Sequence, residues 1–154
     1  MSNVDVIRFQ LKPGAVLPSL AHEGDAGYDL ATYEDVLLTR GAVGRLDTGV
    51  AGVHLPAWAW GMVHTRSSTR ERWGLEIRTS VIDTGWRGPL FLGYKVVGRA
   101  GDGDRATTVR IPHGTRLGQL LLMVNCAAQT PVVQVALVDQ GTERGVAGFG
   151  SSGA

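Results

Sequence analysis

An all-β sandwich or jelly roll carrying one short helix is the fold class this sequence predicts, on three observations. Apolar and polar residues alternate at period two in several short runs, as half-buried strands require. Turn residues punctuate those runs, glycine alone filling 22 of 154 positions, about twice its usual share. A single stretch, Ser67 to Trp73 (SSTRERW), has the composition of a helix.

Taken in order, Val4 to Leu11 (VDVIRFQL) alternates apolar and polar at period two and reads as a strand, which Pro13, Gly14 and Pro18 then break. Gly24 to Ala31 gives a turn and a second strand, and Val36 to Leu38 a third. Arg45 to Leu55 (RLDTGVAGVHL) is strand material interrupted by Gly49 and Gly52, and Ala57 to His64 alternates again. The helix follows, with a serine as the expected N-cap and Gly74 as its stop. Val81-Ile82-Asp83-Thr84-Gly85-Trp86-Arg87-Gly88 and the apolar run Pro89 to Val97 read as a β-hairpin with an acid at its mouth. Beyond the loop Gly98 to Asp104, further strands are expected over Thr107 to Ile111, Leu117 to Val124 and Val132 to Val138.

Composition narrows the function classes. With 44% hydrophobic residues and a formal charge of +1, the chain has a domain-sized core and no charged tail or patch of the kind nucleic acid attracts. Cys126 is the one cysteine, so no disulfide framework is possible and a reducing, cytoplasmic setting is expected. Leu120 to Val124 and Pro89 to Leu92, the longest apolar runs, are far too short to span a membrane, and the N-terminus has no signal-peptide pattern.

Five short stretches carry candidate chemistry. Ala26-Gly27-Tyr28-Asp29-Leu30 sets a carboxylate at a strand end. Thr65-Arg66-Ser67-Ser68 opens the helix, where free N–H groups and hydroxyls favour an anion. Asp83 is a charge placed where the strand pattern favours burial, hence either a turn-former or a working group. Gln119 lies inside an apolar strand, and a buried amide needs partners. Finally, Gly141 to Ala154 (GTERGVAGFGSSGA) is rich in glycine and serine: either a frayed terminus, or a strip whose N–H groups and hydroxyls wrap a polyphosphate.

In this order the five stretches, AGYDL (26–30), TRSS (65–68), VIDTGWRG (81–88), HGTRLGQL (113–120) and RGVAGFGSSG (144–153), resemble the ordered motifs of the homotrimeric dUTPase family, over essentially the whole chain. The resemblance implies a distorted β jelly roll over residues 1–140 and a flexible arm over residues 141–154. It also implies a homotrimer with active sites at subunit interfaces, and cleavage of dUTP to dUMP and pyrophosphate with Mg²⁺. Asp83 matches the carboxylate that activates the attacking water. Trp86 stands where the family usually has a tyrosine against the deoxyribose, and the backbone around Val81, Ile82 and Phe91 matches the part that pairs with uracil. By the same resemblance, Arg66, Ser67, Ser68 and Gln119 hold phosphates and Asp29 reaches Mg²⁺ through water. Arg144, Phe149, Ser151 and Ser152 close over the nucleotide.

Several positions depart from the family pattern. Thr69 replaces an apolar residue, Ala147 a glycine and Ser80 a glycine, while Val96 takes the place of an asparagine. The asparagine that many bacterial members carry upstream of the VID run has no clear counterpart among Ile77, Arg78 and Thr79. The hairpin also resembles that of the related dCTP deaminases, yet their catalytic glutamate falls on Gly93, which has no side chain to move a proton. Two alternatives therefore stand beside dUTP hydrolysis: a deaminase-like enzyme, and a nucleotide-binding regulator with little turnover.

Overall fold

The computed structural model describes residues 6–99, 101, 108–127 and 130–136. Eleven strands and one helix occur among them: β1 (Arg8–Leu11), β2 (Gly27–Ala31), β3 (Val36–Thr39), β4 (Val43–Asp47), β5 (Val50–His54), β6 (Ala59–Thr65), α1 (Ser67–Trp73), β7 (Leu75–Ile77), β8 (Ser80–Ile82), β9 (Phe91–Val96), β10 (Thr108–Ile111) and β11 (Arg116–Val124). The all-β expectation with a single short helix holds, in the distorted jelly-roll class.

Every ladder is antiparallel. The largest sheet has the order β2-β11-β6-β8, the second β4-β9-β7, and two ribbons, β1-β5 and β10-β3, complete the set. β11 is the spine of the large sheet, pairing with β6 from Gly118↔Thr65 to Val124↔Ala59 and with β2 on its other side. Leu120 and Val63 from this sheet, Leu46 and Leu92 from the second and Ile111 from a ribbon join one buried cluster. The sheets are therefore held face to face by a shared apolar core, in which truncating a leucine costs about 2–5 kcal/mol.

Differences from the sequence reading have local causes. The run 45–55 is two strands, because Gly49 turns the chain at φ +73° while Gly52 stays inside β5 opposite Gln10. The expected hairpin over 81–97 is not a paired hairpin. β8 pairs with β6, whereas β9 pairs with β4 and β7 in the other sheet, so the segment crosses between sheets. A tight hairpin needs a connection of two to five residues; here residues 83–90 separate the strands, and Leu90 N–H instead donates to Val50 O at 3.1 Å. β7 had no strand signal of its own. Of the strand expected over Val132 to Val138, residues 132–136 form no ladder, with Val132, Val133 and Val135 exposed, and residues 137 and 138 lie outside the described residues.

The helix lies as expected, with Gly74 as its left-handed C-cap. Its N-cap is Arg66 rather than a serine, Ser67 being the first helical residue, and no side chain caps the N-terminus. Thr69 explains its own presence. β11 slips register between Arg116 and Gly118, which leaves the Leu117 carbonyl to accept from buried Thr69 Oγ1 at 2.7 Å and from Arg66 N–H at 3.3 Å. An apolar residue at 69 would forfeit that bond.

Candidate functional site

The turn after β8 is pinned rather than loose. Trp86 N–H donates to Asp83 O at 2.9 Å. Thr84 Oγ1 donates to Ala59 O at 2.7 Å and accepts from Asn125 Nδ2 at 2.9 Å, tying the turn to the start of β6 and the end of β11. Arg87 Nη1 caps the Thr84 and Trp86 carbonyls at 2.9 and 2.7 Å. All of these bonds are made by the backbone and by neighbours, so the Asp83 carboxylate stays exposed, with no partner among the described residues.

Asp83 borders two cavities. One, of about 650 Å³, is lined by Val81, Ile82, Asp83, Trp86, Phe91 and Gly93, together with Arg45 and Arg78. The other, of about 580 Å³, lies between Asp83, Thr84, Trp60 and Cys126. Trp86 is held at the first by Nε1 donating to Pro89 O at 3.3 Å and by packing on Gly88. A Cβ at 88 would sit 2.4 Å from the indole Cζ2, so only glycine permits this ring position. With Phe91 also in its lining, the cavity offers aromatic side chains of the kind that hold a flat base or a sugar.

A second cluster gathers elsewhere. Asp29 on β2 is buried, its Oδ1 paired with Arg66 Nε at 2.8 Å and its Oδ2 with Arg116 Nη1 at 3.4 Å. Arg66 Nη1 also donates to Arg116 O at 3.2 Å, and Gln119 Nε2 to Thr65 O at 3.1 Å. Asp29, Arg66, Ser67 and Gln119 line a cavity of about 300 Å³ beside the uncapped helix N-terminus. Asp25 lines the same cavity, so its charged lining is Asp25, Asp29 and Arg66, with Arg116 paired to Asp29 from outside the lining. Removing Asp29 would take from both arginines their shared carboxylate partner.

The sequence-predicted residues thus fall into two groups that share no cavity: Asp83, Val81, Ile82, Trp86 and Phe91 in one, and Asp29, Arg66, Ser67 and Gln119 in the other. Ser68 lies half-buried in α1, outside the lining of either. Ile82 sits opposite Gly61 on β6 and Arg66 five residues further along, a separation of roughly 16 Å at 3.3 Å per residue. Arg144, Phe149, Ser151 and Ser152 lie outside the described residues. Sequence reasoning missed Arg116, although it stands inside the quoted HGTRLGQL stretch, and the placement of Arg45 and Arg78, which only strand register reveals.

For the expected Mg²⁺, no group of three or more His, Cys, Asp or Glu side chains is placed to cage a metal among the described residues. Asp29 has both oxygens in ion pairs, each with a lone pair left for a water. The donor set fits an ion carried mainly by the phosphates of a ligand and touched through water, the usual habit of Mg²⁺. No described helix is long and apolar enough to cross a membrane.

A β-sheet protein with an aromatic-lined cavity next to an uncommitted carboxylate, and a separate polar cavity where Arg66, Ser67 and Gln119 meet, is built like the class that handles phosphorylated nucleosides. The chain belongs to the dUTPase family, whose sequence profile matches residues 14–153. It is 41% identical to the deoxyuridine 5'-triphosphate nucleotidohydrolase of Mycobacterium marinum, across 99% of this chain and 97% of that one. Against the Mycobacterium tuberculosis H37Rv protein of the same name identity is 39%, across 94% and 92%. Among solved structures, the Staphylococcus bacteriophage 80alpha dUTPase with dUPNHPP superposes with a TM-score of 0.84 at 27% identity, covering 97% of this chain and 99% of that one. A mutant dUTPase from phage phi11 of S. aureus, described as coordinating a structural Mg(II) ion, gives 0.72 at 27% identity over 87% and 97%.

Proposed function

We propose that this chain hydrolyses dUTP to dUMP and pyrophosphate, with Asp83 taking the proton of the water that attacks the α-phosphorus. The observation that carries the reading is the pinned turn that presents an exposed carboxylate with no partner at the mouth of the aromatic cavity. The new bond forms from water oxygen to the α-phosphorus, the α–β bridging P–O bond breaks, and pyrophosphate leaves. A general base of this kind contributes about 10²- to 10⁴-fold. Trp86 packs on the deoxyribose, and backbone around Val81, Ile82 and Phe91 meets the base.

Arg66, Ser67, Ser68 and Gln119 hold phosphates at the Arg66 cluster, and Asp29 fixes the two arginines while reaching Mg²⁺ through water. Bound on the triphosphate, Mg²⁺ neutralises part of its charge. The domain proper is residues 1–140; the arm 141–154 brings Arg144, Phe149, Ser151 and Ser152 over the nucleotide. Since the two halves of the site share no cavity within one chain, a neighbouring copy completes it, as a homotrimer does by cyclic symmetry. Exposed Val81, Met123, Val124, Val132 and Val133 offer apolar surface for that assembly. The enzyme acts in the cytoplasm, where its single cysteine stays reduced.

Incubation with each dNTP and Mg²⁺ tests the reaction. Pyrophosphate from dUTP, and no ammonia from dCTP, is the expected result; ammonia from dCTP, or no turnover of any dNTP, contradicts it.

A further inference from the structure

Strand register sets two arginines on either side of the residue without a side chain. In the β4-β9-β7 sheet Arg45 lies opposite Gly93. On the other side Ile77 pairs with Tyr94, and the next residue, Arg78, donates its N–H to Gly93 O at 2.7 Å. The three residues form one cross-strand row, so their side chains share a face. The stem of Arg78 lies along that face, its Cβ, Cδ and Cγ being 3.4, 3.6 and 3.9 Å from the point a Cβ on Gly93 would occupy. Arg45 and Arg78 both line the 650 Å³ cavity, both are exposed, and neither guanidinium has a hydrogen-bond or ion-pair partner among the described residues.

We infer that Arg78, seconded by Arg45 across Gly93, is a specificity-determining residue that reads the hydrogen-bonding edge of the pyrimidine base. The inference rests on the proposed function, which sets the α-phosphate near Asp83. With the phosphate at that end and the sugar against Trp86, the base points along the cavity towards Gly93, where the missing side chain leaves it room. A guanidinium there has donors and no acceptor. It pairs with a carbonyl oxygen, as uracil presents at C4, and meets the exocyclic amine of cytosine donor to donor. Leaving that amine and a guanidinium N–H unpaired in a confined site is the kind of mismatch that separates otherwise isosteric ligands.

The test compares kcat/KM for dUTP and dCTP in the full-length enzyme and in the Arg78→Ala, Arg78→Lys and Arg45→Ala variants, with melting temperature as the folding control. Arg78→Ala is expected to lose about tenfold or more in kcat/KM for dUTP and little for dCTP, narrowing the ratio by about tenfold. Arg78→Lys should fall between, since an ammonium donates without the planar fork, and Arg45→Ala should narrow the ratio less. Calorimetric titration with dUMP and dCMP reads the same preference without turnover, so it stands even if the reaction assignment fails. An unchanged uracil-to-cytosine ratio in Arg78→Ala, by kinetics or by binding, overturns the inference, as does an equal loss for both bases.

Discussion

Two turns in this molecule are spelled with the same tripeptide, Asp47-Thr48-Gly49 and Asp83-Thr84-Gly85, and they do opposite work. At the first, Asp47 Oδ1 accepts the Gly49 N–H at 2.7 Å and Oδ2 is paired with Lys12. Thr48 is buried, donating to Leu90 O at 2.7 Å and accepting Val50 N–H at 3.2 Å. Gly49 is pressed against Ala15 and Tyr33. At the second, the threonine makes the anchoring bonds, Gly85 has nothing within 4 Å of where a Cβ would be, and the acid has no partner among the described residues. The difference teaches where to look for chemistry. An aspartate whose oxygens are already used by the fold stabilises it, while one whose turn is held by other groups remains available to a ligand.

Swapping each acid for its amide should separate these roles, and the largest effect belongs to Asp83. Asp83→Asn keeps the shape and cannot accept a proton, so turnover of dUTP should drop by at least about 10²-fold with the melting temperature unchanged. Asp47→Asn should do the reverse, melting earlier at neutral pH while retaining turnover. Burial alone would raise the Asp47 pKa, but the Lys12 ammonium and the Gly49 N–H outweigh it and hold the acid below the usual carboxylate range. A depressed folded pKa gives stability that is present above the ordinary value and lost as pH falls through the folded one. Melting curves should therefore show the gap between wild type and Asp47→Asn in full at neutral pH and closing below about pH 4. A gap that persists in acid would mean that the ion pair is not its source.

The two glycines provide a smaller contrast. A Cβ at Gly49 would meet Ala15 Cβ at 2.5 Å on a backbone already at φ +73°, so Gly49→Ala should cost about 1–3 kcal/mol by chemical denaturation. Gly85→Ala should stay within about 0.5 kcal/mol of wild type. Equal costs would erase the distinction between a turn packed into the core and one standing at a cavity.

Much of this was legible in the chain itself, for physical reasons. The alternation that marks β6 arises from one buried face, β11 contains a plain apolar run, and SSTRERW followed by Gly74 is a helix with its stop, so all three were readable locally. Which of Gly49 and Gly52 would turn the chain was not, because the choice depends on Ala15 and Tyr33 arriving from elsewhere. The crossing of residues 81–97 between two sheets was hidden for the same reason: strand content is a local property and strand partnership is not. Of the site, Asp83, Trp86 and Phe91, like Asp29, Arg66, Ser67 and Gln119, were legible through the resemblance to the family rather than from spacing. The pairing of Arg116 with Asp29, and the row Arg45-Gly93-Arg78, come from register between strands distant in sequence.

The central claim is that Asp83 of one copy works with the Arg66 cluster of another, and mixing inactive partners tests it most directly. Asp83→Asn and Arg66→Ala chains, each nearly inactive alone, are to be co-expressed in equal amounts, purified as mixed oligomers and assayed for pyrophosphate release from dUTP. Random assembly of sites drawing the two residues from different copies leaves roughly a quarter of them intact, so activity should recover to about that fraction of wild type. Activity no greater than the sum of the two variants would contradict the account and return both residues to a site within a single chain.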